Sequence, residues 1–345
     1  MKALVKPSRT PGDLQLREIP RPEITRGRIL AKVAYAGICH SDLLIIDNRT
    51  SIYRPPVVPG HEFSAVVVEV DADQSEFQPG DIVLSETALE VCDACPACKD
   101  GYFEICSNKE ILGWTHNGAF AEYVLLNPRF CHKLAPDVDL KAAAVAEPLA
   151  IGVEAVQVRG CIKPGEVVAV VGPGPCGILS AVAAKELGAS QVFLVGLDTF
   201  APVRMPIARQ MGIEHCIDST QTSPVDYLLD HTGGRLADLV IDATGTLAGF
   251  TDALALVKRH GRLIELGSIP DSTHFDWPAM CHKAIDLAFV FSSNSRAWDT
   301  TTRILERCAS QLGHAATHVT PLDDYQDALE AARDQTRSLK VLLQP

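Results

Sequence analysis

The chain has 345 residues, 47% of them hydrophobic, and a formal net charge of −12. That length suggests two domains, each with enough apolar residues for its own core. The acidic balance argues against a general binder of nucleic acid or of an anionic membrane surface, which needs a basic face.

Residues 1–10 lack the long apolar run of a secretory signal. The apolar runs at 167–171, 238–241 and 287–292 stop well short of the roughly 18 residues that a bilayer demands. The cytoplasm is therefore the expected compartment. There, eleven cysteines read as metal ligands rather than as disulfides.

The first part, 1–147, carries short apolar runs at 29–34, 65–70 and 82–85, with turn signals such as Gln78-Pro79-Gly80-Asp81 between them. This predicts a β-rich domain of short antiparallel strands. Three motifs stand in it: Cys39-His40-Ser41-Asp42, Gly60-His61-Glu62, and Glu147-Pro148-Leu149 at its end. A catalytic zinc takes about three protein ligands and keeps one position open. Cys39 and His61 are the natural first two. Glu62 or Glu147 supplies a carboxylate as the third, and the other reaches the metal through water or replaces that water in turnover. Taken singly, a buried Cys, a core His and a surface Glu would be structural; the weight lies in the three motifs preceding a nucleotide domain.

Cys92, Cys95, Cys98 and Cys106 form a C-x2-C-x2-C-x7-C cluster. Four thiolates so close in sequence can enclose one tetrahedral zinc, and a closed four-sulfur site leaves no position for substrate, so it is structural. Spacing alone leaves an iron–sulfur cluster open as the chemical rival.

From residue 167 the rhythm changes. Strand-like runs begin near Val167, Gln191, His215, Asp238, Arg262 and Leu287, every 23–25 residues, with helix-like stretches such as 176–187 between them. This predicts βα units around a parallel sheet of about six strands, the doubly wound α/β arrangement. The first run enters Gly172-Pro173-Gly174-Pro175-Cys176-Gly177. At a strand-to-helix turn, Gly172 permits the tight bend, Gly174 lets the backbone approach a pyrophosphate, and Gly177 allows close helix packing; Cys176 lies in the same loop. Asp198, 26 residues after Gly172, is placed to accept ribose hydroxyls and repel a 2′-phosphate, favouring NAD over NADP, with Arg204 softening that selectivity. The tail, 294–345, breaks the rhythm. Helices at 300–311 and 325–333 and a strand at 340–343 read as a return to the first domain.

These residues resemble the zinc-containing medium-chain dehydrogenase/reductase family along nearly the whole chain. The likeness rests on Cys39, Gly60-His61-Glu62, the four-cysteine lobe, the 172–177 loop, Asp242-Ala243-Thr244-Gly245 and Gly261-Arg262-Leu263. It implies a GroES-like catalytic domain at 1–147 carrying both zincs, a Rossmann NAD-binding domain at 148–293, a return to the catalytic domain at 294–345, and an active site in the cleft between. Glu147-Pro148-Leu149 and Glu62 resemble the polyol (sorbitol-like), cyclitol and threonine dehydrogenases, and residues 111–124 resemble bacterial polyol and aminocyclitol enzymes. The family glycines expected at Ala65 and near Asp71 are missing, and Leu44 stands where many members carry a relay histidine.

The implied chemistry is zinc-assisted oxidation of a secondary alcohol to a ketone, with Ser41 receiving the hydroxyl proton, Asp42 orienting His61 and hydride passing to NAD. His40 and Lys340 fall at positions of pyrophosphate contacts. Trp114 and Phe120 shape either the substrate pocket or the core. A homodimer or homotetramer joined near 287–292 is expected. A threonine-type or primary alcohol dehydrogenase is the alternative within enzymes; a non-catalytic NAD-binding protein is the alternative outside them.

Overall fold

A computed structural model describes residues 1–71, 76–197, 201–269 and 275–345. The chain forms two compact units, Met1–Glu147 with Thr301–Pro345, and Pro148–Thr300.

The first unit is built on the strand Ile29–Gly37, in which Ile29, Leu30, Ala31, Val33 and Ala36 are buried. It pairs antiparallel with Glu62–Val70, Tyr123–Leu126 and Lys340–Gln344 in one sheet, which continues through Ile82–Ser85 to Cys131–Leu134 and through Lys340–Gln344 to Ala316–Pro321. The apolar run predicted at 29–34 extends three residues further as a strand, because the ladder continues to Gly37, opposite Glu62. The tail strand occupies the interior of this sheet, with Leu342 against Gly37 and Leu343 against Ala36. The helix Ser295–Leu312 spans the passage between units, so the chain re-enters the first unit at Thr301 rather than at 294.

The second unit is a six-stranded parallel sheet. Its order is His215–Asp218, Gln191–Gly196, Val167–Val171, Ala237–Asp242, Val257–Glu265, Asp286–Phe289. Sequence order therefore reverses direction between the first and fourth strands, the doubly wound topology. Val167–Val171 is buried along its whole length, as an unbroken valine-rich run flanked by parallel strands should be. The fifth strand starts at Val257, five residues before the predicted Arg262. A register shift separates the Ala237–Val257 pair from Leu239–Arg262, and the regular ladder runs from Arg262 onward. The helix Pro175–Glu186 follows the glycine loop, with Gly174 as its N-cap.

The glycines of that loop have different duties. A Cβ at Gly177 would collide with the Gly172 carbonyl, whereas one at Gly174 would meet nothing within 4 Å. Gly177→Ala is accordingly expected to cost roughly 1–3 kcal/mol of stability, read as a lower melting temperature in calorimetry. Gly174→Ala should leave that temperature nearly unchanged and weaken dinucleotide binding instead.

Candidate active site and metal centres

Asp42 organises the first cluster. Cys39 caps the helix His40–Ile46, and the Asp42 Oδ2 accepts the Cys39 backbone N–H at 2.9 Å. Its Oδ1 accepts the Gly60 N–H at 3.2 Å and lies 3.4 Å from His61 Nδ1, a contact outside hydrogen-bond alignment. Asp42 is wholly buried. One carboxylate thus ties the cysteine-bearing helix to the histidine-bearing segment.

That segment is seated on glycine. Gly60 has φ +96°, and Cβ atoms at Gly113 and Gly118 would run into the Gly60 backbone. Only side-chain-free residues let these three backbones touch. Phe120 packs on the other side of Gly60 and is fully buried, so it belongs to the core. Trp114 meets the His61 ring edge-on at 6.4 Å between centroids and packs against Ile45, Tyr53 and Val57.

Ligand atoms of Cys39, His61 and Glu62 lie within 4.8 Å of one another. Glu147, at the start of the helix Ala146–Val153, stands outside that group but within the electrostatic field of His61, Glu62, Lys340 and Asp42. Burial is the largest influence on it and, with Glu62 and Asp42, pushes its carboxyl up to about 7 against the pull of His61 and Lys340. Ser41 Oγ is 3.4 Å from His61 Nε2. His40 is exposed. Lys340 is buried, with Nζ 2.6 Å from Glu62 Oε2 and 3.4 Å from the Ile38 carbonyl. Its charge balances the Glu62 carboxylate. Asp198 lies outside the described residues.

The donor set fits zinc. Burial disfavours an imidazolium at His61, yet Asp42 and Cys39 outweigh it and hold the ring well above the usual histidine value. A thiol, an imidazole and a carboxylate converging at one place form a ligand set suited to zinc,. Pairing of Glu62 through Oε2 is compatible with ligation through its other oxygen.

The second cluster is a separate lobe. Cys95 caps the short helix Pro96–Lys99, which carries Cys98, and Cys106 follows a turn at Phe103–Ile105. The four sulfurs lie within 4.8 Å of one another, and Cys92 and Cys106 Sγ are 3.5 Å apart without a disulfide. Sulfurs around a tetrahedral zinc stand about 3.8 Å apart. The Cys95 and Cys92 N–H groups donate to Cys92 and Cys106 Sγ. N–H donors from Cys98 and Ser107 hold the Cys95 thiol down to about 6, while burial and the neighbouring thiols push Cys98 up to about 12. The lobe cannot ionise all four sulfurs near neutral pH without a metal to neutralise them.

Two family models match the chain: the alcohol dehydrogenase GroES-like domain at residues 25–137 and the zinc-binding dehydrogenase at 175–307. A sorbitol dehydrogenase of Halalkalibacterium halodurans is 30% identical, over all of this chain and 99% of its own length. The chain belongs to the zinc-containing medium-chain dehydrogenase/reductase family. A D-arabitol-phosphate dehydrogenase of Enterococcus avium is 29% identical over 100% of this chain and 97% of its own. An alcohol dehydrogenase structure from Thermotoga maritima superposes with a TM-score of 0.91 at 26% identity, covering 100% and 99% of the two chains. The protein is an oxidoreductase acting on CH–OH groups of small molecules, with a GroES-like and a Rossmann domain. The four-cysteine lobe fits a structural zinc and the Cys39–His61–Glu62 group a catalytic one, which closes the iron–sulfur alternative. Among the described residues no helix is long and apolar enough to cross a membrane.

Sequence reasoning did not find the Lys340–Glu62 pair or the glycine contacts under His61. The first joins residues 278 positions apart, which no spacing reveals; three glycines near a metal motif were the only trace of the second. Replacing Cys98 with Ser is expected to halve bound zinc in elemental analysis and lower the melting temperature by at least about 5 °C. Zinc retention by the lobe should weaken on acidification, since Cys98 must surrender its proton to bind.

Proposed function

We propose that the protein oxidises a secondary alcohol of a polyol, sugar alcohol or cyclitol to the ketone, with NAD as hydride acceptor. The observation that carries this reading is the convergence of Cys39, His61 and Glu62 in a chain related end to end to a sorbitol dehydrogenase. Zinc held there supplies Lewis acidity, lowering the pKa of the substrate hydroxyl. Cys39 and His61 hold the ion, Glu62 or Glu147 completes the set, and Asp42 keeps the His61 ring in orientation. Ser41, beside His61, takes up the hydroxyl proton. With Leu44 where a relay histidine would stand, that proton leaves through water or ribose hydroxyls.

For the cofactor, Gly172, Gly174, Cys176 and Gly177 form the turn into Pro175–Glu186, whose N-terminus attracts a pyrophosphate. Asp198 takes the ribose hydroxyls, which favours NAD over NADP, and the exposed His40 contacts phosphate. The edge strand Asp286–Phe289 with Phe289 62% and Phe291 70% exposed supports a homodimer or homotetramer joined at this edge. Eleven free cysteines support a reducing, cytoplasmic setting.

Cys39→Ser is expected to abolish turnover and remove the catalytic zinc while NADH affinity stays within about twofold; full activity in this variant would refute the mechanism. A panel of polyols, cyclitols, threonine and ethanol, run with NAD and NADP and read at the NADH absorbance band, should show highest kcat/KM for a polyol or cyclitol with NAD. A preference for threonine or ethanol would select the alternative.

A further inference from the structure

The fourth and fifth strands of the second unit end on a pair of acids. Asp242 and Glu265 are register partners and are 0% and 2% exposed. Each spends one oxygen on the turn that follows it. Asp242 Oδ1 accepts from Thr244 N at 2.9 Å and Thr244 Oγ1 at 2.7 Å, and Glu265 Oε1 accepts from Gly267 N at 2.8 Å. The remaining oxygens, Asp242 Oδ2 and Glu265 Oε2, are buried and receive no donor, yet the two carboxyl groups are within hydrogen-bonding reach of each other. Two bare carboxylates at that separation repel, and burial magnifies the repulsion. A third acid, Asp252 on the helix Leu247–Leu256 packed against these strands, lies in the field of Asp242 and adds to the negative charge.

The turns so held meet each other. A Cβ on Gly267 would collide with the Gly245 backbone, and one on Gly172 would stand 3.0 Å from Thr244 Cγ2 and 3.1 Å from the Ala243 carbonyl carbon. All three turns leave the carboxyl ends of adjacent parallel strands, two of them flanking the point where strand order reverses and the third one strand beyond it, the region at which such sheets bind ligands,.

We propose that Asp242 and Glu265 share one proton, and that this acid–carboxylate bridge is the positioning element that sets the 244–245 and 266–268 turns for the dinucleotide. The proposal rests on the reading of this unit as dinucleotide-binding. With one proton between them, one carboxyl donates to the other and a single negative charge is buried. Burial first, and then Asp242, push Glu265 up to about 8 from its ordinary 4.5; burial raises Asp242 as well. The folded unit therefore retains a proton that the unfolded chain releases. Stability is greatest below the ordinary value and falls as pH rises toward the folded one.

The test compares wild type with Glu265→Gln, both zinc-loaded, from pH 5 to 9.5, following NADH affinity by nicotinamide fluorescence and melting temperature at each pH. An amide supplies the donor and does not ionise. The wild-type affinity should weaken by up to about tenfold per pH unit above about 8,, and its melting temperature should fall between pH 5 and 8. Glu265→Gln should hold its affinity within about twofold and show no such fall. Should Glu265→Gln fail to fold, Asp242→Asn makes the same exchange on the other acid and is judged identically. Parallel profiles in wild type and variant overturn the proposal. So does a wild-type affinity that does not change with pH, although NADH binding itself would then stand. If NADH binds at no pH, the dinucleotide reading fails and the positioning role with it.

Discussion

The catalytic unit depends on what Asp42 does with its two oxygens. One holds the N-terminus of the cysteine-bearing helix, the other holds the backbone at Gly60 and approaches the His61 ring. A buried carboxylate with one N–H donor on each oxygen and an imidazole beside it is stable because both oxygens are hydrogen-bonded and the charge is offset nearby,. Without it, two N–H groups would be left dry, and only the Gly37–Glu62 end of the strand pair would hold the thiol-bearing and imidazole-bearing segments together. The metal site is therefore a consequence of backbone hydrogen bonding as much as of ligand identity.

The second unit is governed by a different constraint. Its first strand, Val167–Val171, is buried along its whole length, so around it polar groups gather where strands end. There the polar inventory is spent on turns: Gly172 and Gly177 where the first strand becomes a helix, Asp242 and Thr244 after the fourth, Glu265 and Gly267 after the fifth. The ligand-facing edge and the stability of the sheet are thus maintained by the same few residues.

Much of this was legible in the sequence because it is local. The 23–25-residue rhythm reports parallel strands through the length of a βα unit, and four cysteines within one lobe report a closed metal site through their spacing. The strand at 82–85 and the helix Tyr325–Arg333 match their apolar patterns. What escaped is non-local. The Val257 start was hidden because a register shift near Ala237 leaves no mark in composition. The pairing of Lys340 with Glu62 was not legible because the two stand 278 residues apart. The pairing of Asp242 with Glu265 left no trace in the sequence, since register between strands is a property of packing,.

The position of the last strand gives the first unit a temporal order. Lys340–Gln344 lies inside a sheet whose other members mostly precede residue 135, with the whole nucleotide unit inserted between. A growing polypeptide therefore carries Ala36 and Gly37 without their last pairing strand, and Glu62 without Lys340 beside it, throughout synthesis of the inserted unit. The inserted unit is contiguous and needs no distant segment to close. The ion pair beside the metal site thus forms last, by closing a loop across 278 positions,.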